Sequence, residues 1–546
     1  MKKLYIIPQM LLGAAALLSA CSQDELVDAP NNGNSHTIEL NLTANRPSFD
    51  QAQGTRAAGK AWKEGDKLRL TFVDGSTTSY GTATYSAGSN KWVLQYSGNI
   101  TSTQNGKLVA YYFESPESEG NTSVILNGKS PIYCDSTGIY TFDGATLNAT
   151  ASLSPANSRM RLQGNPGDTL YVSGPAVSDN YNIDNTFTDE IWNNHPVIIS
   201  NNADEDGKYY SDYIYFTTNE ANKHHNKKLL VMNNTNAYTH VLTDANLQKG
   251  VSGYLTIPGT EGANNWEEVN PFSDLQFPDS ISSDRRQVIL KYLNDMVKVD
   301  GGNLTLGSSS DQVTVHMYPF HIMKTQVSNE LFEAVMGYEP PTPYLSSTVA
   351  SKGLYTFVVN GGYLPQSDNQ YQQGLDEILT KFATKFQQTT NLPLDIPYES
   401  EWEYAARGGQ KSKLYNYIAN CSKNIYNWDN DLKQSYFIND NGNPQIHVDE
   451  GYENELGILG LCSNAPDACY YFGSKYGNSL SIFSFTPMDF DINNTIKINW
   501  RGVSSYESYN NMSSYNLPYH RWHYYSSNSY YPNKARGLRL VLRYHN

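Results

Sequence analysis

Charged residues are scarce in this 546-residue chain: they make up 17% of it, and the 54 acidic residues outnumber the 39 basic ones. The net charge of −15 argues against a nucleic-acid partner, because nucleic-acid-binding domains present a basic surface. Cysteine is also rare, with five residues, and no CxxC or HExxH sequence indicates a metal site. After the first 20 residues, no apolar run approaches membrane-spanning length.

Tyrosine is abundant instead, with 42 residues, and Ser, Asn and Gly are also common. Tyrosine suits strands and binding surfaces, since its ring gives a large contact area and its hydroxyl a hydrogen bond. The composition therefore favours β-rich extracellular domains over a cytosolic enzyme.

The first residues have the pattern of an export signal. Two lysines precede an apolar stretch over 4–20 that ends in small residues, which predicts a signal peptide over 1–20. The letters LSAC ending at Cys21 resemble the lipobox of bacterial lipoproteins, which implies cleavage before Cys21 and its lipidation. The alternative is an ordinary secretory signal followed by an incidental cysteine.

Residues 21–35 are polar and include Pro and Gly, which predicts a flexible tether behind the lipid. The acidic pair shortly after Cys21 resembles the surface-export signal of some Gram-negative lipoproteins. We therefore expect a lipoprotein exposed on the surface of the outer membrane.

Residues 36–262 alternate apolar and polar side chains in one short segment after another, which is typical of β-strands. We predict two β-sandwich domains or one elongated sandwich, divided near Ser154-Pro155 into residues 36–157 and 158–262. Three dipeptides predict tight turns. They are Asp74-Gly75, Asn105-Gly106 and Asn127-Gly128.

The stretch TRAAGKAWKEGDKLRLTF, together with the lipoprotein signal and two β domains, resembles the fimbrillin family of pilus subunits. The resemblance implies that proteolysis after an arginine removes an N-terminal strand, and that a strand of another pilin fills the groove. The candidate cleavage positions are Arg46 and Arg56. Arg56 is favoured because Pro47 follows Arg46. The alternative is that both are solvated loop arginines.

Residues 263–292 are predicted to be a linker with a short helix or strand at its end. Residues 293–546 then change character. Ser328 is a plausible N-cap of a helix whose apolar face is Leu331, Phe332, Val335 and Met336. Another helix is predicted over GLDEILTKFATKFQQTT.

Several segments of 293–546 occur in the order found in the formylglycine-generating enzyme family, which includes sulfatase-modifying factors. These segments are MVKVDGGNLTLG, KTQVSNELFEAVMG, LPLDIPYESEWEYAARGG, NELG and RGLRLVL. The resemblance implies an elaborated C-type-lectin fold. The predicted fold class is thus mainly β: tandem fimbrillin-like β-sandwiches followed by an α+β C-type-lectin-like domain.

Enzymatic activity in this family needs a C-terminal cysteine pair that holds copper, and no cysteine follows Cys469 here. We therefore predict a non-enzyme without catalytic residues. Glu401 and Glu403 are taken as surface or structural carboxylates, because residues two apart lie on different helix faces. Cys462 and Cys469 are interpreted as a local disulfide, with a displaced metal pair as the alternative. Structural Ca²⁺ is the one cofactor that the resemblance leaves open, near the polar stretch 427–430.

Residues 503–533 have the composition of a binding surface. Ser, Tyr, Asn and His account for 23 of these 31 residues, so the segment has too few aliphatic side chains to form core. It follows Trp500-Arg501-Gly502, which resembles a family strand, and precedes the closing strand GLRLVL. The predicted ligand-binding residues are Tyr506, Tyr509, Asn510, Asn511, Tyr515, Tyr519, His520, Trp522, His523, Tyr524, Tyr525, Asn528, Tyr530 and Tyr531.

The same composition resembles the variable region of proteins diversified by retroelements, which use this lectin scaffold. A solvated loop and a fixed ligand site are the alternatives. The prediction is a surface adhesin, at a pilus tip, that binds a protein or glycan. An oxygen- or metal-dependent enzyme and a structural lipoprotein without a ligand are the competing classes.

Overall fold

We analysed the chain in a computed structural model. The structure describes residues 36–46, 49, 61–75, 77–101, 103–120, 123–182, 194–218, 227–306, 313–338, 381–411, 453–459, 461, 467–470, 498–501 and 537–544. Within these ranges, no helix has the length and apolar character needed to cross a membrane.

Residues 36–155 are here called the first β region, and their described part forms ten strands. They are β1 His36–Ala44, β2 Lys67–Asp74, β3 Thr77–Ser86, β4 Lys91–Ser97, β5 Thr103–Phe113, β6 Ser118–Glu119, β7 Ser123–Ile125, β8 Ile132–Phe142, β9 Leu147–Ala151 and β10 Ser154–Pro155. The alternation in the sequence has the expected cause. In β2, Leu68, Leu70 and Phe72 are at most 1% exposed, while the residues between them are half-buried.

Eight of these strands form one sheet in the order β10-β8-β5-β2-β3-β4-β1-β9, and β9 also pairs with β8. The sheet therefore closes on itself around a single core. Strand β1 runs antiparallel to β4 and parallel to β9, with Leu40 opposite both Trp92 and Leu147. Leu40 is only 2% exposed, so the apolar face of β1 is packed against the core of this closed sheet.

Two of the three predicted turns are present. Gly75 (φ +60°) lies between β2 and β3, and Asn127 and Gly128 have positive φ between β7 and β8. The turn predicted at Asn105-Gly106 is wrong, because both residues lie within β5. A Cβ on Gly106 would lie 2.1 Å from Cε1 of Tyr140, so this glycine admits a ring that packs flat against the strand.

The second β region covers residues 158–268. Its strands are β11 Ser158–Gln163, β12 Thr169–Ser173, β13 Asn180–Asn182, β14 His195–Ile198, β15 Ile214–Phe216, β16 Lys228–Met232, β17 Ala237–Val241, β18 Ser252–Thr256 and β19 Trp266–Glu268. Sheets β15-β11-β18 and β14-β12-β16-β17-β19 share a core that includes Leu162, Phe216 and Val231. A third sheet, β13-β7-β6, joins the two β regions.

The predicted short helix at the end of residues 263–292 is confirmed, because the structure has a helix over Ser283–Asn294. The interpretation of the segment as a linker needs correction. β19 pairs with β17 and so belongs to the second β region. Helix α1 (Ser283–Asn294) buries Ile289 and Leu293 in a hydrophobic core that also contains Val327 and Phe382. Burial of these apolar side chains stabilises the fold, so α1 is part of the C-terminal core and does not belong to a solvated linker.

The C-terminal region, residues 283–544, combines helices and short strands. After α1 come β20 Val297–Val299, β21 Gly302–Leu306, β22 Val313–Met317, β23 Phe320–Ile322, α2 Asn329–Met336, α3 (381–390), β24 Leu394–Asp395, α4 Glu399–Ala406, β25 Asp467–Tyr470, β26 Ile498–Arg501 and β27 Val541–Arg543. A central sheet has the order β20-β23-β27-β24. The predicted mainly β chain with an α+β C-terminal region is confirmed.

Helix α2 begins as predicted, since the Ser328 hydroxyl accepts a hydrogen bond from the Leu331 N–H. It ends at Gly337 (φ +84°), which adopts the left-handed conformation. From α1, Arg285 donates to the carbonyl oxygens of Ala334 (2.7 Å) and Val335 (3.0 Å). This cation at the C-terminus of α2 complements the helix dipole and joins the two helices.

The second β region and the C-terminal region are in direct contact. Gly301 N donates to Asn234 O and Lys298 Nζ to Asn236 Oδ1, each at 2.6 Å. The rings of Tyr171 and His316 stack with centroids 4.4 Å apart. The two regions are therefore docked by hydrogen bonds and aromatic packing.

Candidate functional site

Strand β25 lies between the two flanks of the predicted binding segment. Asp467 pairs with Arg501 of β26 on one side and forms a parallel bridge with Gly537 on the other. Neighbouring strands lie about 4.8 Å apart, so the two flanks of segment 502–536 are held about 10 Å from each other. Arg501 and Gly537, the described residues on either side of the segment, thus flank the single residue Asp467.

Asp467 is fully buried and is held by three donors. Its carboxylate accepts from Arg539 Nε (2.9 Å), Trp402 Nε1 (2.9 Å) and Gln326 Nε2 (2.7 Å). These donors come from the closing strand segment, α4 and the segment before α2. A buried carboxylate is stable only when it is paired and hydrogen-bonded, and here both conditions are met.

Arg539 is also fully buried and uses its remaining donors on backbone carbonyls. Its guanidinium donates to Lys324 O (2.9 Å), Met323 O (3.3 Å) and Leu459 O. The planar fork of arginine suits such multiple bonding, which lysine could not reproduce. Asp467 and Arg539 therefore form a buried ionic centre. Both flanks of the predicted binding segment pair with the backbone of Asp467.

Gly537 fits this centre for a steric reason. A Cβ at this position would lie 2.5 Å from Nε2 of Gln326, the same amide that binds Asp467. A larger residue would displace that amide from the Asp467 carboxylate.

Glu401 and Glu403 have structural roles, as the sequence interpretation proposes, but they are buried rather than on the surface. Glu401 binds Arg543 through both oxygens, at 2.7 and 2.8 Å, and also accepts from the Tyr398 N–H at 2.7 Å. Glu403 pairs with Arg407 one helical turn away. Neither carboxylate is left available for acid–base chemistry.

The pKa of Arg543 reflects its pairing with acidic residues. Burial alone lowers the pKa of its guanidinium, but Glu401 and Asp395 more than offset burial and raise the pKa above its ordinary value. The ion pair joins α4 to the central sheet through β27.

The NELG motif is a structural turn beside α4. The Asn454 side chain donates to Ala405 O at 2.7 Å and accepts from the N–H groups of Leu456 and Ile458. Gly457 follows with φ +85°. An asparagine that satisfies three backbone groups fixes this loop against the helix.

The copper site implied by the family resemblance does not fit this chain. That site needs two thiolates in the closing part of the domain, where the sequence has none. Cys469 lies in the buried cluster that also holds Trp402 and Tyr404. In the part of the chain that the structure describes, no group of three or more His, Cys, Asp or Glu residues could hold a metal.

Many predicted site residues lie outside the described ranges. They include Cys21, Arg56, Cys462, the polar stretch 427–430 and all 14 ligand-binding residues of segment 503–533. Their assigned roles, including the disulfide between Cys462 and Cys469, stay predictions.

Arg46 is described, and it is not a solvated loop arginine. It is 6% exposed, and its Nε lies 3.1 Å from Asp66 Oδ2. Its Nη2 donates to Tyr112 Oη at 3.0 Å and lies 3.9 Å from Glu114 Oε1. A protease could cleave the peptide bond after Arg46 only if this part of the chain opened locally. This favours Arg56 over Arg46 as the predicted cleavage position.

Sequence reasoning missed the Asp467–Arg539 centre. The one available signal was an arginine inside the otherwise apolar RGLRLVL strand, since an arginine in a buried strand requires an acidic partner. Nothing in the sequence identifies that partner, because Asp467 lies 72 residues away.

The described part of the chain is a mainly β protein with an α+β C-terminal region. Comparison with known proteins agrees with this class in the C-terminal region: residues 284–470 match the sulfatase-modifying factor enzyme 1-like domain. The chain is also 26% identical over 208 residues to the chaperone protein LppX of Paenibacillus barcinonensis, a match that covers 33% of this chain and 72% of that protein.

Two solved structures illustrate the structural comparisons. Treponema denticola variable protein 1 is 18% identical, with a TM-score of 0.29, and aligns with 45% of this chain and 94% of its own. A fimbrial protein from Bacteroides ovatus is 11% identical, with a TM-score of 0.21, and aligns with 66% of this chain and 81% of its own.

Proposed function

We propose that this chain is a surface-exposed lipoprotein adhesin, anchored through Cys21, that binds a protein or glycan through segment 503–533. The supporting observation is the position of Asp467. Its backbone pairs with both flanks of the segment, and its buried carboxylate is fully hydrogen-bonded. A fixed base allows the segment to vary in sequence while the fold beneath it stays the same. Its Tyr, Ser and Asn side chains suit contact with many surfaces.

The test is an array of glycans and extracellular proteins probed with the full chain. Replacing the eight tyrosines of 503–533 by Ala should weaken binding at least about 30-fold, because buried tyrosines dominate binding energy at interfaces. The matched control is Tyr80→Ala with Tyr254→Ala, two tyrosines of the β regions that are 39% and 50% exposed. Retained binding by the eightfold variant would reject this role of the segment.

We further propose that the chain is not an enzyme. The buried, paired Glu401 and Glu403 and the lack of a C-terminal cysteine pair support this proposal. Purified chain incubated with copper and a sulfatase-derived cysteine peptide should leave the peptide unchanged. Conversion of that cysteine to formylglycine would contradict the proposal.

A third proposal places the subunit at a pilus tip. Its first β region would lose β1 by cleavage after Arg56 and accept a strand from another pilin. The C-terminal region follows its second β region directly, so we expect the subunit to accept a strand without donating one. Immunogold electron microscopy should label fibre ends, and label along the shaft would contradict the tip position.

Diversification of segment 503–533 by a retroelement is the last part of the proposal. A near-identical template repeat and a reverse-transcriptase gene should lie beside the gene for this chain. Their absence would remove diversification and leave the binding proposal intact.

A further inference from the structure

Strand β1 meets the rest of the first β region through a regular set of contacts. Leu40 is buried, and Ile38, Leu42 and Ala44 pack against the same core. The intervening side chains, such as Glu39, are exposed. This alternation gives any strand in this position an apolar face but little chemical specificity.

Specificity begins where β1 ends. Asn45 donates to Leu153 O at 3.1 Å and accepts from Leu153 N at 2.9 Å. It thereby satisfies both polar groups of one backbone residue. The next residue, Arg46, places a buried charge against the body of the region.

The partners of Arg46 stay on the body. Asp66 and Glu114 are carboxylates whose side chains are 15% and 21% exposed, and both lie within 4 Å of the guanidinium. Tyr112 bridges Arg46 and Asp66, since its hydroxyl accepts from the guanidinium and donates to the carboxylate. Two nearby, largely buried carboxylates repel each other unless a cation lies between them.

Cleavage after Arg46 or after Arg56 removes Arg46 together with β1. The groove left behind would then carry two carboxylates without their shared cation. Truncating one partner of a buried ion pair costs far more than losing an exposed pair, because the remaining charge is poorly solvated. A strand that only fills the apolar pockets would leave this cost in place.

We propose that the strand that replaces β1 must carry a basic side chain at the position of Arg46, two residues after the small residue that replaces Ala44. This inference rests on the strand exchange proposed above and specifies the chemistry of the donor. The donor is an extended segment of another subunit with apolar residues at the positions of 38, 40 and 42. Arginine suits the site better than lysine, because its fork reaches Asp66 and Tyr112 at once.

The experiment uses the full chain with a specific protease site placed within 51–56. After cleavage, labelled peptides of residues 36–46 compete with the retained β1 segment, and native mass spectrometry measures incorporation. The native peptide should enter the chain. The Arg46→Lys peptide should enter less well, and the Arg46→Gln peptide should be at least about tenfold weaker.

The matched control peptide is Glu39→Gln, which also removes one charge. Glu39 pairs with Lys91 on the surface, and both side chains are more than 50% exposed, so this change should alter incorporation less than about threefold. In a chain with Asp66→Asn and Glu114→Gln, the preference for the arginine peptide over the glutamine peptide should disappear. Circular dichroism and incorporation of the native peptide establish that this variant is folded.

The outcomes separate the two proposals. If no peptide enters, including the native one, strand exchange itself is rejected, and the basic-residue requirement falls with it. If the native and Arg46→Gln peptides enter equally, exchange stands and the requirement is overturned. A preference that persists in the Asp66→Asn, Glu114→Gln chain would also overturn it, because the two carboxylates would not be its source.

Discussion

At the scale of single residues, the C-terminal region contains a fully buried ion pair, Asp467 and Arg539, whose polar atoms are hydrogen-bonded on all sides. Asp467 receives three hydrogen bonds, and Arg539 gives four through its three nitrogens. Such a centre need not be more stabilising than an apolar one of the same shape. Its buried charges do require that Asp467, Arg539 and their hydrogen-bond partners all be present.

Asp467→Asn should therefore destabilise the C-terminal region by about 3–5 kcal/mol, since it leaves Arg539 buried without its counter-charge. Differential scanning calorimetry of the full chain should show one transition at lower temperature. The matched control is Asp204→Asn, which breaks the surface pair with Arg161 and should cost at most about 1 kcal/mol. Equal effects of the two substitutions would show that the Asp467 pair contributes no more than a surface pair.

At the scale of secondary-structure elements, the contrast between the two helix N-caps gives a second prediction. Ser328 is fully buried, caps α2 and lies 2.6 Å from Tyr292 Oη, whereas Ser282 caps α1 at an exposed end with a 3.4 Å contact. Ser328→Ala should cost about 1–2 kcal/mol, and Ser282→Ala about 0.5 kcal/mol. Urea denaturation of both variants would measure the difference, and a larger loss for Ser282→Ala would contradict this ranking.

Elements were also what the sequence predicted best. Period-2 alternation predicted short strands over residues 36–262, and β1, β2, β4 and β5 show its cause, because each of these strands buries one face. The α2 cap was predictable because capping is a local interaction. The Asn105-Gly106 turn was not, because the reason for the glycine is the ring of Tyr140 on another strand. The same holds for the partner of Arg539, which no local pattern can identify.

At the scale of the whole molecule, the second β region and the C-terminal region meet in a contact that is partly aromatic, because Tyr171 packs on His316 and Tyr318. His321 belongs to the C-terminal region and packs on Phe272 and on Tyr544, which shares a cluster with Tyr171 and Tyr318. Protonation of either histidine would place a charge among these rings, so the stability of the C-terminal region should depend on pH.

Burial lowers the pKa of His316 to about 4, and burial followed by the charge of Lys298 does the same for His321. Their ordinary pKa is 6.5. Between these values the unfolded chain binds more protons than the folded one, so the stabilisation is present above about pH 6.5 and is lost as the pH falls towards 4. Burial, followed by the charges of Glu268 and Asp300, raises the pKa of Tyr544, the ring beside His321, to about 12.

Lowering the pH from 7 to 5 should therefore lower the free energy of unfolding of the C-terminal region by roughly 2 kcal/mol, after allowance for solvent screening of two half-buried rings. The measurement is the free energy of unfolding of the C-terminal region at both pH values. A chain with His316→Gln and His321→Gln should lose most of this pH dependence, even if it is less stable at pH 7. His36→Gln, at the exposed start of β1 and away from these two rings, is the control and should retain it. An unchanged slope in the double variant would mean that groups other than His316 and His321 cause the acid sensitivity.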